Sequence, residues 1–179
     1  PVIRQCFVGM RNHFYNKRDF ERRLYLVRQI VENYSESLEM PGGEYFYICT
    51  FSTNRIVYKG MLTTQQLAEY FPDLHDPDYR THLALVHSRF STNTFPLWRL
   101  AHPYRYLAHN GEINALRGNR NWMRARRGSL SSEVFGEELN KLFPIFSESS
   151  SDSATLDHAL QFLVLNGRSL PHSVLMLIP

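Results

Sequence analysis

Cysteine is nearly absent: Cys6 and Cys49 are the only two in 179 residues. Two thiols cannot make a disulfide framework, which points to a reducing compartment. That compartment is expected to be the cytoplasm, or a plastid if the source is eukaryotic. No apolar run approaches the ~20 residues of a membrane span, so no membrane partner is expected. No signal-peptide pattern opens the chain. A strong charge of one sign is also lacking. The formal net charge is +3, too mild to imply nucleic acid by itself. Internal repeats, low-complexity tracts and long linkers are missing as well. What remains is globular in composition, 43% hydrophobic and 21% charged. Such a chain suits one domain of ordinary size, on the order of 100–200 residues.

Val2 to Met10 is mostly apolar and reads as a strand, with Cys6 as a small buried hydrophobe inside it. Asp19 to Leu38 is the clearest helix. Its apolar stripe is Phe20, Leu24, Val27, Ile30, Val31 and Tyr34, with Glu21, Arg22, Arg23, Arg28 and Glu32 on a solvated face. Glu44–Phe51 and Arg55–Leu62 flank Ser52-Thr53-Asn54 and read as a hairpin, with Cys49 filling core. Thr63 and Gln66 have the spacing of a capping box that opens a short helix to about Tyr70. The cluster His75-Asp76-Pro77-Asp78 reads as a turn rather than a metal site. Asn114 to Arg127 reads as a helix with Arg117, Arg120, Arg124 and Arg127 on one face. Phe135 to Leu142 is a short amphipathic helix ended by Pro144. Ala154 to Leu165 is a helix with its N-cap among Ser151, Asp152 and Ser153 and its stop at Asn166-Gly167. Pro171 starts a last helix, and the apolar run to Pro179 is expected to pack on further chain.

Residues 85–114 organise the rest. Leu83–Val86 reads as a buried strand that ends in His87, Ser88 and Arg89. Tyr104–Ala108 is a second such run and ends in His109-Asn110-Gly111, a strong turn signal. Between them, Phe95, Pro96, Leu97 and Trp98 form an aromatic loop that lies either on the core or over a ligand. The ordered set His87-Ser88-Arg89-Phe90-Ser91-Thr92-Asn93, Ala101-His102-Pro103 and His109-Asn110-Gly111-Glu112-Ile113 resembles the class II glutamine amidotransferases. Its continuation through Asn114-Ala115-Leu116-Arg117-Gly118-Asn119-Arg120-Asn121-Trp122 is similar to the glutamate synthase large-chain family.

The residue types suit glutamine. A bidentate arginine suits an α-carboxylate, a carboxylate suits an α-ammonium, and preorganised N–H donors receive the charge that builds on an amide oxygen under attack. The resemblance assembles these groups. It implies an α+β fold, the four-layer αββα sandwich of N-terminal-nucleophile hydrolases, incomplete in this chain. It implies that Arg89 binds the glutamine carboxylate, that Asn110 and Gly111 form the oxyanion hole, and that Asp152, in Ser149-Ser150-Ser151-Asp152-Ser153, takes the α-amino group. Thr92 and Asn93 match a loop that closes over glutamine, and His102 and His109 match positions that shape the site. N-capping is the other reading of Asp152, and burial in the core that of the histidines.

The resemblance also implies a nucleophile, an N-terminal Cys whose own α-amine is the base. Pro1-Val2-Ile3 does not supply it, and Cys6 has no free α-amine. Residues 1–179 are therefore expected to be the inner part of an amidotransferase domain, inactive alone, with the nucleophile segment before Pro1 and further segments after Pro179. The full enzyme is expected to hydrolyse L-glutamine and channel ammonia to 2-oxoglutarate, making L-glutamate. FMN and an iron–sulfur cluster are expected there, none within this chain, and no metal site. Its partners would be L-glutamine, the remainder of the synthase chain and a small reductase subunit. Three rivals are another class II amidotransferase, a processed hydrolase using Cys6, and a non-catalytic module that binds an anionic partner with its arginine stripe.

Overall fold

The computed structural model describes residues 2–10, 16–88 and 95–178. Five α-helices carry the architecture. They are α1 Lys17–Ser37, α2 Thr64–Tyr70, α3 Leu116–Arg126, α4 Asp152–Leu165 and α5 Leu170–Leu177. Short 3-10 turns, among them Trp98–Leu100 and Gly136–Leu142, join them.

Local chemistry sets the helix ends. Asn16 caps α1 by accepting from Asp19 N–H at 2.9 Å. At α2 the capping box forms: Thr63 accepts from Gln66 N–H and Gln66 reaches back to Thr63 N–H. Ser151 caps α4 through Ala154 N–H at 3.1 Å. The stop of α4 is a Schellman arrangement: Arg168 N–H reaches Leu163 O at 3.2 Å and Gly167 N–H reaches Val164 O at 3.0 Å. Gly167 sits at φ +101°, where a Cβ would be strained. Ser169 caps α5, with Pro171 in its first turn.

The core joins α1, the turn 136–142 and α4. Tyr25 and Leu26 pack with Phe135, Leu139, Leu142, Ile145, Phe146, Phe162 and Leu165. The expected amphipathic segment at 135–142 forms as a 3-10 helix and delivers Leu139 and Leu142 to this cluster.

The face that α1 buries differs from the one its apolar stripe predicts. Phe20 and Leu24 are buried, but Val27, Ile30, Val31 and Tyr34 are exposed. The buried stripe runs instead through Glu21, Tyr25, Arg28 and Gln29. Each polar member has partners. Glu21 accepts from Ser52 Oγ, and from Thr53 N–H at 2.7 Å. Arg28 donates to Glu32 at 2.6 Å and to Gln161 at 2.7 Å. Gln29 donates to the carbonyls of Pro144 and Ile145 at 2.8 and 3.1 Å. Hydrogen-bonding partners far along the chain outweigh apolar area in choosing this face.

No strand forms among the described residues, so the expected αββα sandwich is not present in them. The runs at 2–10, 44–51, 55–62, 83–86 and 104–108 form no sheet ladder. A strand is stable only as a paired ladder with a buried face. Without the ladder, Val2, Phe7, Leu83 and Val86 face solvent, and Cys6 is exposed rather than buried. The expected hairpin survives only as a bend whose Ser52 and Thr53 clasp Glu21. At Tyr104 the chain turns back, with Tyr104 N–H on Leu107 O at 2.9 Å. The aromatic loop lies on the protein's own surface at Trp98, whose ring fills the space beside Gly60 and meets Tyr70 at 5.7 Å.

Candidate active site

The first turns of α4 are a platform for the loop that carries the Asn-Gly pair. Four connections pin that loop. Tyr104 OH lies 3.0 Å from Ser151 Oγ. His109 Nε2 lies 2.8 Å from Ser153 Oγ. Ile113 N–H donates to Asp152 Oδ2 at 2.7 Å. Deeper down, the fully buried Asp157 accepts from Arg105 Nε at 3.0 Å and from Tyr106 N–H at 2.8 Å. The loop is therefore held by helix side chains rather than by a neighbouring strand.

Asp152 is the centre of this arrangement. Its Oδ1 accepts from Ser153 N–H at 2.7 Å and from Ser153 Oγ at 3.2 Å, and its Oδ2 from Ile113 N–H. Burial pushes the carboxyl up. The N–H groups of Ile113 and Ser153, the Ser153 hydroxyl and the nearby His109 outweigh that and hold it below the ordinary aspartate value. A carboxylate offers about four acceptor positions, and three are taken, so one remains for a cationic donor. Ser151, not Asp152, is the N-cap of α4. Asp152 is thus free of the capping duty that its position allowed.

Three imidazoles gather beside it. His87 stacks on His102 with ring centres 4.5 Å apart, and His102 meets His109 edge-on at 5.3 Å. His87 Nε2 lies 2.8 Å from His109 O. Burial first, then repulsion by His87 and His109, pushes the His102 imidazole down to about 4. His102 is therefore neutral at physiological pH. Asn110 and Gly111 stand exposed at the turn between the two pinned ends of the loop.

Of the residues that the sequence nominates, the structure brings His102, His109, Asn110, Gly111 and Asp152 onto one surface. Arg89, Thr92 and Asn93 lie outside the described residues. Neither cysteine joins the group: Cys6 is exposed in the extended segment 2–10. Cys49 lines a separate cavity of about 370 Å³ with Lys59, Arg105 and His158, and burial pushes its thiol up, away from thiolate character. The arginine stripe on α3 is largely engaged within the chain. Arg120 donates to Ser150 O and to Thr155 Oγ1, Arg124 pairs with Glu148, and Arg127 lies over Phe143 at 4.9 Å.

Ser153 and Asp157 are the members that sequence reasoning missed. Their signal was present. Ser153, Asp157 and Gln161 recur at i, i+4 and i+8 in an otherwise apolar helix, and all three are buried. A polar stripe with helical spacing inside an apolar helix calls for polar partners.

The site thus sets a helix-borne carboxylate, pinned by its hydrogen bonds, beside an Asn-Gly turn and a neutral histidine. The chain matches the family of class II glutamine amidotransferases along residues 1–179, and it belongs to that family. More narrowly, it is similar to glutamate synthases. The NADPH glutamate synthase large chain of Bacillus subtilis (strain 168) is 50% identical over 181 residues, with 100% of this chain and 12% of that protein covered. The NADH glutamate synthase of Saccharomyces cerevisiae is 51% identical over 166 residues, covering 92% of this chain and 8% of that protein. The ferredoxin-dependent glutamate synthase of Antithamnion sp. is 42% identical over 179 residues, again with 12% of its length covered. The chain thus spans about a tenth of the length of these relatives.

Proposed function

We propose that residues 1–179 form the glutamine-binding part of the amidotransferase domain of a glutamate synthase. The observation that carries this reading is the Asp152 carboxylate. It is bonded to Ile113 N–H at 2.7 Å, so the first turn of α4 and the Asn110–Gly111 turn act as one unit. In this reading Arg89 takes the glutamine α-carboxylate and Asp152 the α-ammonium through its remaining acceptor position. The Asn110 side-chain amide and the Gly111 N–H receive the developing oxyanion. Thr92 and Asn93 close over the ligand, and His102 packs against it. Attack by a thiolate breaks the amide C–N bond and releases ammonia. Water then frees the acyl group as L-glutamate. Neither Cys6 nor Cys49 is assigned as that thiolate.

In the whole enzyme the ammonia passes to 2-oxoglutarate, and reduction gives a second L-glutamate. FMN and an iron–sulfur cluster would supply the reducing electrons when bound. The residues in hand do not fit the cluster. It takes three or four thiolates, and Cys6 and Cys49 are a pair lying in different environments. A small reductase subunit belongs to the same reading as a partner of the rest of the enzyme. The αββα sandwich is the fold that the extended runs would join once paired in a ladder.

The test is glutaminase kinetics in the full-length protein. Asn110→Ala should lower kcat by roughly 10²–10³-fold, the usual cost of one oxyanion donor. Asp152→Asn should chiefly raise KM for glutamine. Unchanged kinetics in both variants would overturn the reading.

A further inference from the structure

Asp152 and Ser153 grip the loop 109–113 at both of its ends, through the His109 ring and the Ile113 N–H, with Asn110 and Gly111 between. The direction of the bonds in this clasp follows from chemistry. A carboxylate only accepts, so Ser153 Oγ–H donates to Asp152 Oδ1 at 3.2 Å. The same Oγ must then accept, so His109 Nε2 carries a proton and donates to it at 2.8 Å. His87 Nε2 faces the carbonyl of His109, another pure acceptor, and donates to it at 2.8 Å. The other ring nitrogen of His109, Nδ1, faces the turn, 3.7 Å from where a Cβ on Gly111 would sit. Ser153 is buried, so its hydroxyl has no solvent to turn to. The links from the His109 ring through Ser153 are thus one-way and end on the carboxylate, while that from His87 ends on the His109 carbonyl.

We propose that His109 and Ser153 are positioning residues that work as one relay. Together they fix the Asp152 carboxylate in the rotamer that leaves its free acceptor position toward the α-ammonium of glutamine. This rests on the reading of Asp152 given above. It assigns selectivity for an α-amino acid over a plain amide to three residues rather than one. His109 reaches the substrate only through Ser153 and Asp152.

The experiment compares glutamine with its analogue that carries hydrogen in place of the α-ammonium, in the full-length protein. The readout is the ratio of their kcat/KM values. Loss of folded enzyme lowers both values together and leaves the ratio unmoved. Ser153→Ala and His109→Leu should each cut the preference for glutamine about tenfold, through KM, as loss of a hydrogen bond on a charged group does. The double variant H109L/S153A should be no worse than either single, because both break the same chain. His109→Gln keeps an N–H donor at the Nε2 position and should recover most of the preference. If Asp152→Asn loses the preference while S153A and H109L keep it, or if their effects multiply, the relay is overturned and the glutamine reading stands. If Asp152→Asn itself keeps the preference, the assignment of Asp152 falls and takes the relay with it.

Discussion

At His102 a single residue contributes to how the fold responds to acid. Its ring is wedged between His87 and His109, and burial first, then their repulsion, lowers its protonation to about pH 4. An unfolded chain would take up the same proton near pH 6.5. Between those values the unfolded state binds more protons, so stability rises with pH across the window. The stability is complete above about pH 6.5 and is lost as the pH falls toward 4. His158, pushed down by burial and by Arg105 and Arg28, adds to the slope with the same sign. The expected outcome in denaturant titrations is a lower midpoint at pH 5 than at pH 7, and a flatter dependence for His102→Phe, which keeps a ring in the stack. Equal midpoints at the two pH values in the wild-type chain would refute the assignment. Single residues of this kind were partly legible beforehand. His102 and His109 stood out through the pattern they share with a known family, and Asp152 through its serine-rich setting. Ser153 was legible only as one polar position of a stripe at helical spacing, because its role exists only once His109, 44 positions away, is brought to it.

Elements divide by how local their determinants are. The capping box at Thr63–Gln66, the stop at Asn166-Gly167 and the proline at the start of α5 are written within four or five residues, and each formed as read. The choice of face on α1 is written elsewhere in the chain. Arg28 is buried because Gln161 on α4 and Glu32 one turn away receive its guanidinium, while Tyr25 lies under it at 5.4 Å. Hydrophobic periodicity carries no information about such partners, which is why it nominated the opposite stripe. A direct consequence concerns substitution at this position. Arg28→Ala should cost about 3–5 kcal/mol, since it leaves Gln161 and Glu32 without their donor and a cavity beside Tyr25. Arg28→Met, which refills the volume and brings no charge, should lose markedly less. Thermal and denaturant unfolding of the two variants decides between this and a solvated arginine, for which both changes would be nearly silent.

For the whole molecule, the strands are what the sequence suggested and the described residues do not contain. Each β-rich run has the right side chains, but a ladder needs a second backbone, and the runs here find helix side chains instead: Glu21 for the bend at 52–53, Asp157 for Tyr106. The result is an apolar surface of unusual extent. Val27, Ile30, Val31 and Tyr34 on α1, Leu175 and Ile178 near the end of the chain, and Val2, Phe7, Leu83 and Val86 on the extended runs are all exposed. The helix α1 shows the logic most plainly, because it presents four apolar side chains at i, i+3, i+4 and i+7 to solvent while its polar stripe is buried. Contiguous apolar surface of this kind drives association in water, and runs without a ladder add backbone groups that seek partners. Residues 1–179 prepared alone should therefore self-associate in the micromolar range and bind a hydrophobic dye. Val27→Lys with Val31→Glu, which place charges in the α1 stripe without touching the buried residues Tyr25, Arg28 or Gln29, should lower the association measured by sedimentation. A chain that stays monomeric with all four apolar residues intact would mean that this face is covered in solution by other parts of the same 179 residues.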